Sequence, residues 1–386
     1  MSFRLSLMMF LQWAVPGTLV PLYSIRLQHD LGFSPALTGM CCATQAAAGV
    51  VSSLIAGQVA DRYLSAEKSM SICAVLAGID LCVLASLREP VGVFLATLFF
   101  WIVTGPMLLY GTTISFHHLP EPNRQFGPIR MWGTVGWMVI GWVMATWTGD
   151  PLHLGAAVAF LIAGYALTLP HTPPRRPTES SKRFAPLEAV SLLRLPAFSI
   201  YCICMFGACI TFPFTTQNTP LLLRELGISV PWVTPTLTLA QTTEVVGLAL
   251  LPALFFHLGV RGTMLLGLGA WLVAMCVLSV GKPLELVLAS MGLNGLYITG
   301  FMVAGQVFVN SLAEGDFRAS VQGLLGCING IGTLVGNLLA GWLREWTEGR
   351  LPPTFAVAAG ITATSLVLFL IAFQHRGHEV LRSPPP

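Results

Sequence analysis

The segment WVTPTLTLAQTTEVVGLALLPALFFH, residues 232–257, contains no lysine or arginine and one acidic residue, Glu244. It is long enough to cross a bilayer, which takes roughly 20 apolar residues. An ionised carboxylate near the middle of a membrane helix is costly unless it is paired or hydrated, so Glu244 is a candidate functional residue. Gln241 lies three residues earlier and faces the same side of a helix. The segment therefore predicts a membrane helix with a polar pair. The residues that this pair faces are expected on other helices of the chain.

The composition extends this prediction to the whole chain of 386 residues. Hydrophobic residues make up 54% and charged residues 10%, against roughly a quarter charged in soluble domains, and the mean hydropathy is +0.74. These values indicate an all-α, multi-pass protein whose partner is the lipid bilayer. The net charge of +3 gives no support to a nucleic-acid partner. The nine cysteines lie in apolar segments without metal-ligand spacing, so they are read as small buried hydrophobes and no metal site is expected.

Hydropathy predicts twelve membrane spans. They are Leu5–Ile25, Leu37–Val59, Met70–Leu87, Val91–Phe116, Met131–Trp147, Leu152–Leu169, Ala197–Asn218, Trp232–His257, Thr263–Val280, Leu284–Val309, Ala319–Leu343 and Phe355–Phe373. A proline-rich basic stretch after the sixth span cannot lie in lipid. The sequence therefore predicts a six-helix bundle at 1–170, a cytoplasmic linker at 171–195, a second six-helix bundle at 196–375 and a cytoplasmic tail at 376–386.

The lysines and arginines predict the orientation of these spans. With the first residue on the cytoplasmic side, 14 of the 20 fall on cytoplasmic segments. By the positive-inside rule, both termini and the linker are expected on the cytoplasmic side of the membrane.

A short motif follows the second span, with Gly57, Asp61 and Arg62 in the order Gly-x-x-x-Asp-Arg. Two six-span halves joined by a basic loop, together with this motif, resemble the major facilitator superfamily. The resemblance implies that the three residues take part in conformational gating. Asp61 and Arg62 could also be charges at a helix end.

Polar residues share a stripe on the fifth span, where Arg130, Thr134 and Trp137 are spaced i, i+4, i+7. They offer a guanidinium fork, a hydroxyl and a stacking plane to a flat polar ligand. Alternatively, Arg130 extends to the cytoplasmic interface and Trp137 packs against a neighbouring helix.

Further polar residues are spread over other spans, as a central cavity would require. The first span carries Gln12 one turn from Pro16, the seventh carries Thr211 and Phe214 around Pro213, and the tenth carries Asn294 and Tyr297 on one face. Such residues also hold membrane helices together. Asp80 in the third span is either a second proton site or a protonated or partnered structural residue.

Enzyme motifs for zinc, nucleotide phosphates or an activated serine are missing from the sequence. Without a nucleotide-binding domain, transport would have to be driven by a gradient, which indicates a secondary carrier. We expect no cofactor, with a proton gradient as the driving force.

Longer stretches resemble the nucleoside:proton symporter family within that superfamily. They include Phe10-Leu-Gln12, Pro128-Ile-Arg130-Met-Trp132-Gly133-Thr134, Gln241-Thr-Thr-Glu244 and Gly305-Gln-Val-Phe-Val309. The resemblance implies a twelve-helix carrier that moves nucleosides inward with protons by alternating access. It implies a substrate-binding set of Gln12, Arg130, Thr134, Trp137, Thr211, Phe214, Gln241, Glu244, Asn294, Tyr297 and Ile298.

This chain departs from the family at several of these positions. Thr211 and Phe214 stand where the family has an amide pair, Asn294 and Ile298 where it has aromatic residues, and Thr299 where it has an acid. Glu244 is therefore expected to be the proton-coupling residue, with Asp80 a weaker candidate.

Other functions stay open at this point. The chain could carry another small polar solute, such as a sugar, or export its substrate. It could be a membrane receptor that binds without transport or, least favoured, a membrane-embedded enzyme. A monomer is expected.

Overall fold

The computed structural model describes residues 2–55, 64–173, 190–312 and 317–373, with side chains except at 50–55, 122–124, 190–191 and 317–320. Helices dominate these ranges, and eight of them are long and apolar enough to cross a membrane. The chain divides into two compact units, residues 1–181 with 228–235 and residues 182–227 with 236–386. Gly57, Asp61 and Arg62, most of the linker and the tail lie outside the described residues.

The described residues of the first unit form six α-helices. They are α1 (Ser2–Ile25), α2 (Pro35–Ile55), α3 (Ala66–Ser86), α4 (Pro90–His118), α5 (Pro122–Thr146) and α6 (Pro151–Ala166). Four of them, α2, α4, α5 and α6, begin with a proline, which is favoured in the first turn of a helix. Asp150 caps α6 by accepting from the Leu152 amide at 2.8 Å. A π-helix, Arg26–Asp30, extends α1.

The described residues of the second unit form α7 (Pro196–Glu225), α8 (Val230–Val280), α9 (Leu284–Tyr297), α10 (Ala304–Leu312), α11 (Phe317–Trp346) and α12 (Leu351–Ala372). Residues 230–235 at the start of α8 are grouped with the first unit. Gly259 interrupts α8 with a φ of 67° and a ψ of 176°, a conformation that glycine adopts readily. The sequence placed a turn between the eighth and ninth spans at this point. A π-helix, Ile298–Val303, joins α9 to α10.

Glycines let α1 and α5 approach closely in the first unit. A Cβ at Gly136 would overlap the Phe10 carbonyl oxygen, and a Cβ at Gly17 would lie 2.7 Å from the Ile140 side chain. Small residues allow such close backbone contact in membranes, where dispersion and hydrogen bonds drive helix association. The α1–α5 contact fixes the position of the polar stripe on α5.

Polar contacts tie the ends of the first unit together. Arg26 forms an ion pair of 2.8 Å with Asp150 and donates to the Ala85 carbonyl at the end of α3. At the opposite ends, the buried Glu67 carboxylate accepts from His171 Nδ1 at 2.8 Å and from the Thr172 amide at 3.0 Å. These contacts satisfy charges and free carbonyls at the helix ends.

Amide side chains hold the second unit together. Gln217 Nε2 donates to the Asn337 carbonyl oxygen at 3.2 Å and to its side-chain oxygen, which joins α7 to α11. Asn218 donates to Thr354 of α12 at 3.4 Å. Gly336 lies against the Ile210 carbonyl, where a Cβ would overlap. The amides at the end of the seventh span therefore join helices.

The described helices differ from the predicted spans in two respects. The helix α7 continues to Glu225, past the predicted end at Asn218 and through Pro213 and Pro220, because neighbouring helices and local adjustments tolerate proline in membrane helices. The predicted span Leu284–Val309 contains the π-helix, which hydropathy does not detect.

Candidate functional site

The α5 stripe of the first unit lies on the face of the helix that packs against α1. Arg130, Thr134 and Trp137 are all half-buried. The Arg130 guanidinium carbon lies 4.1 Å from the ring centroid of Trp13 on α1, within cation–π distance. Gly133 leaves room for this pair, since a Cβ there would lie 2.9 Å from Arg130 Nη1. The indole of Trp13 therefore orients the guanidinium.

Gln12 lies one residue before Trp13 but is fully buried. Its Nε2 contacts the Met9 sulfur at 2.9 Å, and its Oε1 has no hydrogen-bond partner among the described residues. Gly111 of α4 lies directly against this amide, where a Cβ would overlap it. In this conformation Gln12 packs between α1 and α4.

Asp80 is placed on α3 with 7% of its surface exposed. Its Oδ2 has no hydrogen-bond partner within the described part of the chain. Neighbouring Ile79 and Val83 are exposed, as expected for side chains that face lipid. Asp80 therefore lies off the exposed face of α3 and packs inside the first unit.

The polar pair on α8 lies in the second unit, beside α9. Gln241, Glu244 and Asn294 are half-buried. The side-chain oxygens of Gln241 and Asn294 have no hydrogen-bond partner among the described residues. A Cβ at Gly295 would overlap the Glu244 amide nitrogen, so the two helices meet at this level. Amide oxygens without a partner, on residues near a carboxylate, form a polar cluster that a ligand can satisfy.

An aromatic cluster lies next to these residues. Tyr297 is buried and stacks on Trp271, with ring centroids 4.2 Å apart and an interplanar angle of 20°. The Trp271 indole donates to the Thr211 hydroxyl at 2.8 Å. Thr211 and Phe214 are fully buried. These predicted ligand residues are engaged in packing within the second unit in this conformation, and Ile298 is half-buried at the start of the π-helix.

Two tryptophans of these clusters were missed by the sequence reasoning. Trp13 carries the contact to Arg130, and Trp271 occupies the hydroxyl of Thr211. Trp13 could have been suspected from its position next to Gln12. No sequence signal separates Trp271 from other apolar residues of the ninth predicted span.

Comparison with protein families assigns the chain. A sequence model described as nucleoside H+ symporter matches residues 1–378. The chain belongs to the nucleoside H+ symporter family. The family consists of transporters and not of enzymes, which accounts for the apolar helices.

Individual members of the nucleoside H+ symporter family are similar over nearly their full lengths. The xanthosine permease of Escherichia coli (strain K12) is 26% identical, with 97% of this chain and 96% of that protein covered. The nucleoside permease NupG of the same organism is 25% identical with the same coverage. A crystal structure of the nucleoside transporter NupG superimposes with a TM-score of 0.86 at 23% identity, covering 97% of this chain and 99% of that one. The last comparison shows that the fold is shared.

Proposed function

We propose that this protein is a secondary active transporter that imports nucleosides together with protons by alternating access. The observation that carries the proposal is the family match over residues 1–378. The relatives named xanthosine permease and nucleoside permease support a nucleoside as the substrate class. A proton gradient would drive the transport, without a cofactor.

In the second unit, we assign substrate binding to Gln241, Glu244 and Asn294. Amide and carboxylate groups can bind the hydroxyls of a ribose and the donor and acceptor edge of a base. A bound nucleoside would supply partners for the amide oxygens that have none among the described residues. This gain favours a polar ligand over an apolar one, because leaving buried polar groups unpaired is costly.

In the first unit, we assign substrate binding to Arg130, Thr134 and Trp137. Arg130 is oriented by Trp13, and guanidinium N–H groups can donate to base or ribose oxygens. The Trp137 indole can stack on a planar base, a contact worth about 0.5–1.5 kcal/mol between aromatic groups. The other predicted ligand residues either support these groups or contact the substrate in other conformations of the transport cycle. They are Gln12, Thr211, Phe214, Tyr297 and Ile298.

Glu244 is proposed as the proton-coupling residue. It is the acidic residue of α8, one turn from Gln241, whose side-chain oxygen has no partner among the described residues. Proton binding there would remove a charge from the cluster, so proton and substrate binding would influence each other's affinity. Asp80 is a weaker candidate because it packs inside the first unit.

We also propose twelve membrane crossings with both termini in the cytoplasm of the inner membrane, and a monomeric protein. The support is the length of α8, which has 51 residues and would extend about 77 Å as a straight helix. That length is more than twice the roughly 30 Å hydrocarbon core, and the break at Gly259 allows two crossings. The excess of basic residues on the predicted cytoplasmic segments supports the orientation.

The proposal is tested by uptake into proteoliposomes that contain the purified protein. Labelled purine nucleosides, pyrimidine nucleosides and sugars are offered with and without an inward proton gradient. We expect saturable nucleoside uptake that the gradient stimulates and a protonophore abolishes. Sugar uptake without nucleoside uptake would contradict the substrate assignment. Binding without uptake would contradict the transport assignment.

A sugar-like substrate is the second candidate function. It is favoured by one observation, the 22% identity to the maltose permease of Geobacillus stearothermophilus over 95% of this chain and 93% of that protein. The sugar arm of the uptake experiment decides between the two candidates.

A further inference from the structure

The π-helix of the second unit lies against the turn of α8 that carries Glu244. Thr299 is its second residue and is 1% exposed. Its hydroxyl donates to the main-chain carbonyl of Glu244 at 3.4 Å. The Thr299 side chain therefore contacts the backbone of Glu244, the proposed proton-coupling residue.

Two glycines make this contact possible. A Cβ at Gly247 would lie 2.8 Å from the Thr299 hydroxyl oxygen, and a Cβ at Gly295 would overlap the Glu244 amide nitrogen. The backbone around Glu244 is thus in contact with α9 at Glu244 itself and with the π-helix at Gly247, one turn later. Neither approach leaves room for another methyl group.

This arrangement limits the motion of Glu244. The Glu244 carbonyl lies within α8, where it would otherwise accept only from its own helix. The Thr299 hydroxyl is a second donor to this carbonyl and links it to the π-helix. Short π-helical turns within α-helices are frequent at functional sites. A shift of the π-helix would then move the main chain of Glu244, and a change at Glu244 would be felt by the π-helix.

We infer that Thr299 is a positioning residue, which holds the turn of Glu244 in register through its hydroxyl and the close approach allowed by Gly247 and Gly295. The inference rests on the proposed function, since it assigns Thr299 a role in the coupling that Glu244 performs.

The test measures the reactivity of Glu244 directly, without relying on transport. Purified protein is treated with dicyclohexylcarbodiimide, which modifies carboxyl groups in apolar surroundings, and the rate at Glu244 is followed by peptide mass spectrometry. The variants are Thr299→Val, which keeps the shape and removes the hydroxyl, and Thr299→Ser, which keeps the hydroxyl. Thr364→Val is the matched control, because exposed Thr364 donates only within α12, to the Gly360 carbonyl at 2.9 Å.

We expect Thr299→Val to change the labelling rate at Glu244 about three- to tenfold. The variant loses one hydrogen bond, and a bond of about 1 kcal/mol corresponds to a change of this size. Thr299→Ser and Thr364→Val should react as the wild type does. Equal rates for Thr299→Val and wild type, including no reaction in either, would overturn the inference.

A glycine pair provides the second measurement. Gly247→Ala should change the Glu244 rate in the same way as Thr299→Val, because the new methyl displaces the hydroxyl. Gly292→Ala is its control, since a Cβ there makes only an ordinary contact of 3.4 Å with Thr243. An unchanged rate in Gly247→Ala would also count against the inference.

Uptake assays on the same variants separate this inference from the proposed function. If the wild type imports no nucleoside, the proposed function fails while the labelling rates still decide the role of Thr299. If the wild type imports nucleosides and Thr299→Val labels as the wild type does, only the inference fails.

Discussion

Glu244 combines a position inside a long apolar segment with a polar neighbourhood. Gln241 and Asn294 leave side-chain oxygens without a partner among the described residues, and Gly295 brings α9 against the Glu244 backbone. The sequence alone predicted the pairing of Gln241 with Glu244, because their spacing of three residues is a property of any helix. It could not predict the contact with Thr299, which depends on the packing of two helices.

Replacing Glu244 by Gln should abolish proton-driven accumulation while leaving exchange of labelled for unlabelled nucleoside across the membrane. The amide keeps the shape and hydrogen-bonding capacity of the side chain but cannot gain or lose the proton. The measurement compares gradient-driven uptake with exchange in proteoliposomes. Glu285→Gln, an exposed acid in the first turn of α9, is the control. Accumulation by Glu244→Gln at the wild-type level would contradict the assignment of coupling.

Replacing Arg130 by Lys should raise the KM for nucleosides about tenfold, which is about 1.4 kcal/mol and close to the lower end of the roughly 1.5–3 kcal/mol typical of a hydrogen bond to a charged group. Lysine keeps the charge but loses the planar fork and its stacking on Trp13. Initial uptake rates over a range of nucleoside concentrations give KM and the maximal rate. Exposed Arg88→Lys should behave as the wild type. An unchanged KM in Arg130→Lys would favour the interfacial role for this side chain.

The helices show which features of the fold are readable from hydropathy. The turn between the eighth and ninth predicted spans was placed between His257 and Gly262, and Gly259 is the non-helical residue. The family and the all-helical membrane fold are likewise confirmed. The π-helices at Arg26–Asp30 and Ile298–Val303 were missed, since the register of main-chain hydrogen bonds leaves no trace in apolar content.

The candidate site was harder to predict than the fold. Thr211 and Phe214 are fully buried in this conformation, and the Trp271 indole donates to the Thr211 hydroxyl, so their role at the ligand stays a prediction. A polar residue in an apolar span can face a cavity or a neighbouring helix, and its spacing is the same in both cases. Only the packing of α7 against its neighbours distinguishes them.

The close approach of α1 and α5 predicts a stability effect. Gly136→Ala should lower the free energy of unfolding by about 1–3 kcal/mol, the usual effect of inserting a methyl group into a packed interior. A Cβ there meets the Phe10 backbone, which cannot rotate away. Thermal unfolding in detergent measures the loss as a lower Tm. Gly164→Ala is the control, because a Cβ at Gly164 meets nothing within 4 Å, and an equal Tm for both variants would contradict the packing argument.

The orientation of the whole chain gives a further prediction. An epitope inserted after Gly227, between α7 and α8, should be reached by antibody in intact cells stripped of their outer membrane. Epitopes at either terminus should be reached only after the inner membrane is permeabilised, since the basic residues favour cytoplasmic termini. Labelling of a terminal epitope in intact cells would contradict the proposed topology.

The two units contribute different chemistry to the proposed transport. The first offers the cation and stacking planes of Arg130, Trp13 and Trp137, and the second offers the carboxylate and amides around Glu244. The match over residues 1–378 assigns the family, and a flux measurement tests the substrate and coupling roles.

Simultaneous recording of proton and nucleoside entry tests these proposals most directly. Proteoliposomes with a trapped pH-sensitive dye receive labelled nucleoside in the absence of an imposed gradient. We expect the addition of nucleoside to acidify the interior in proportion to nucleoside uptake, and Glu244→Gln to abolish that acidification. Nucleoside uptake without acidification of wild-type vesicles would contradict proton-coupled nucleoside import.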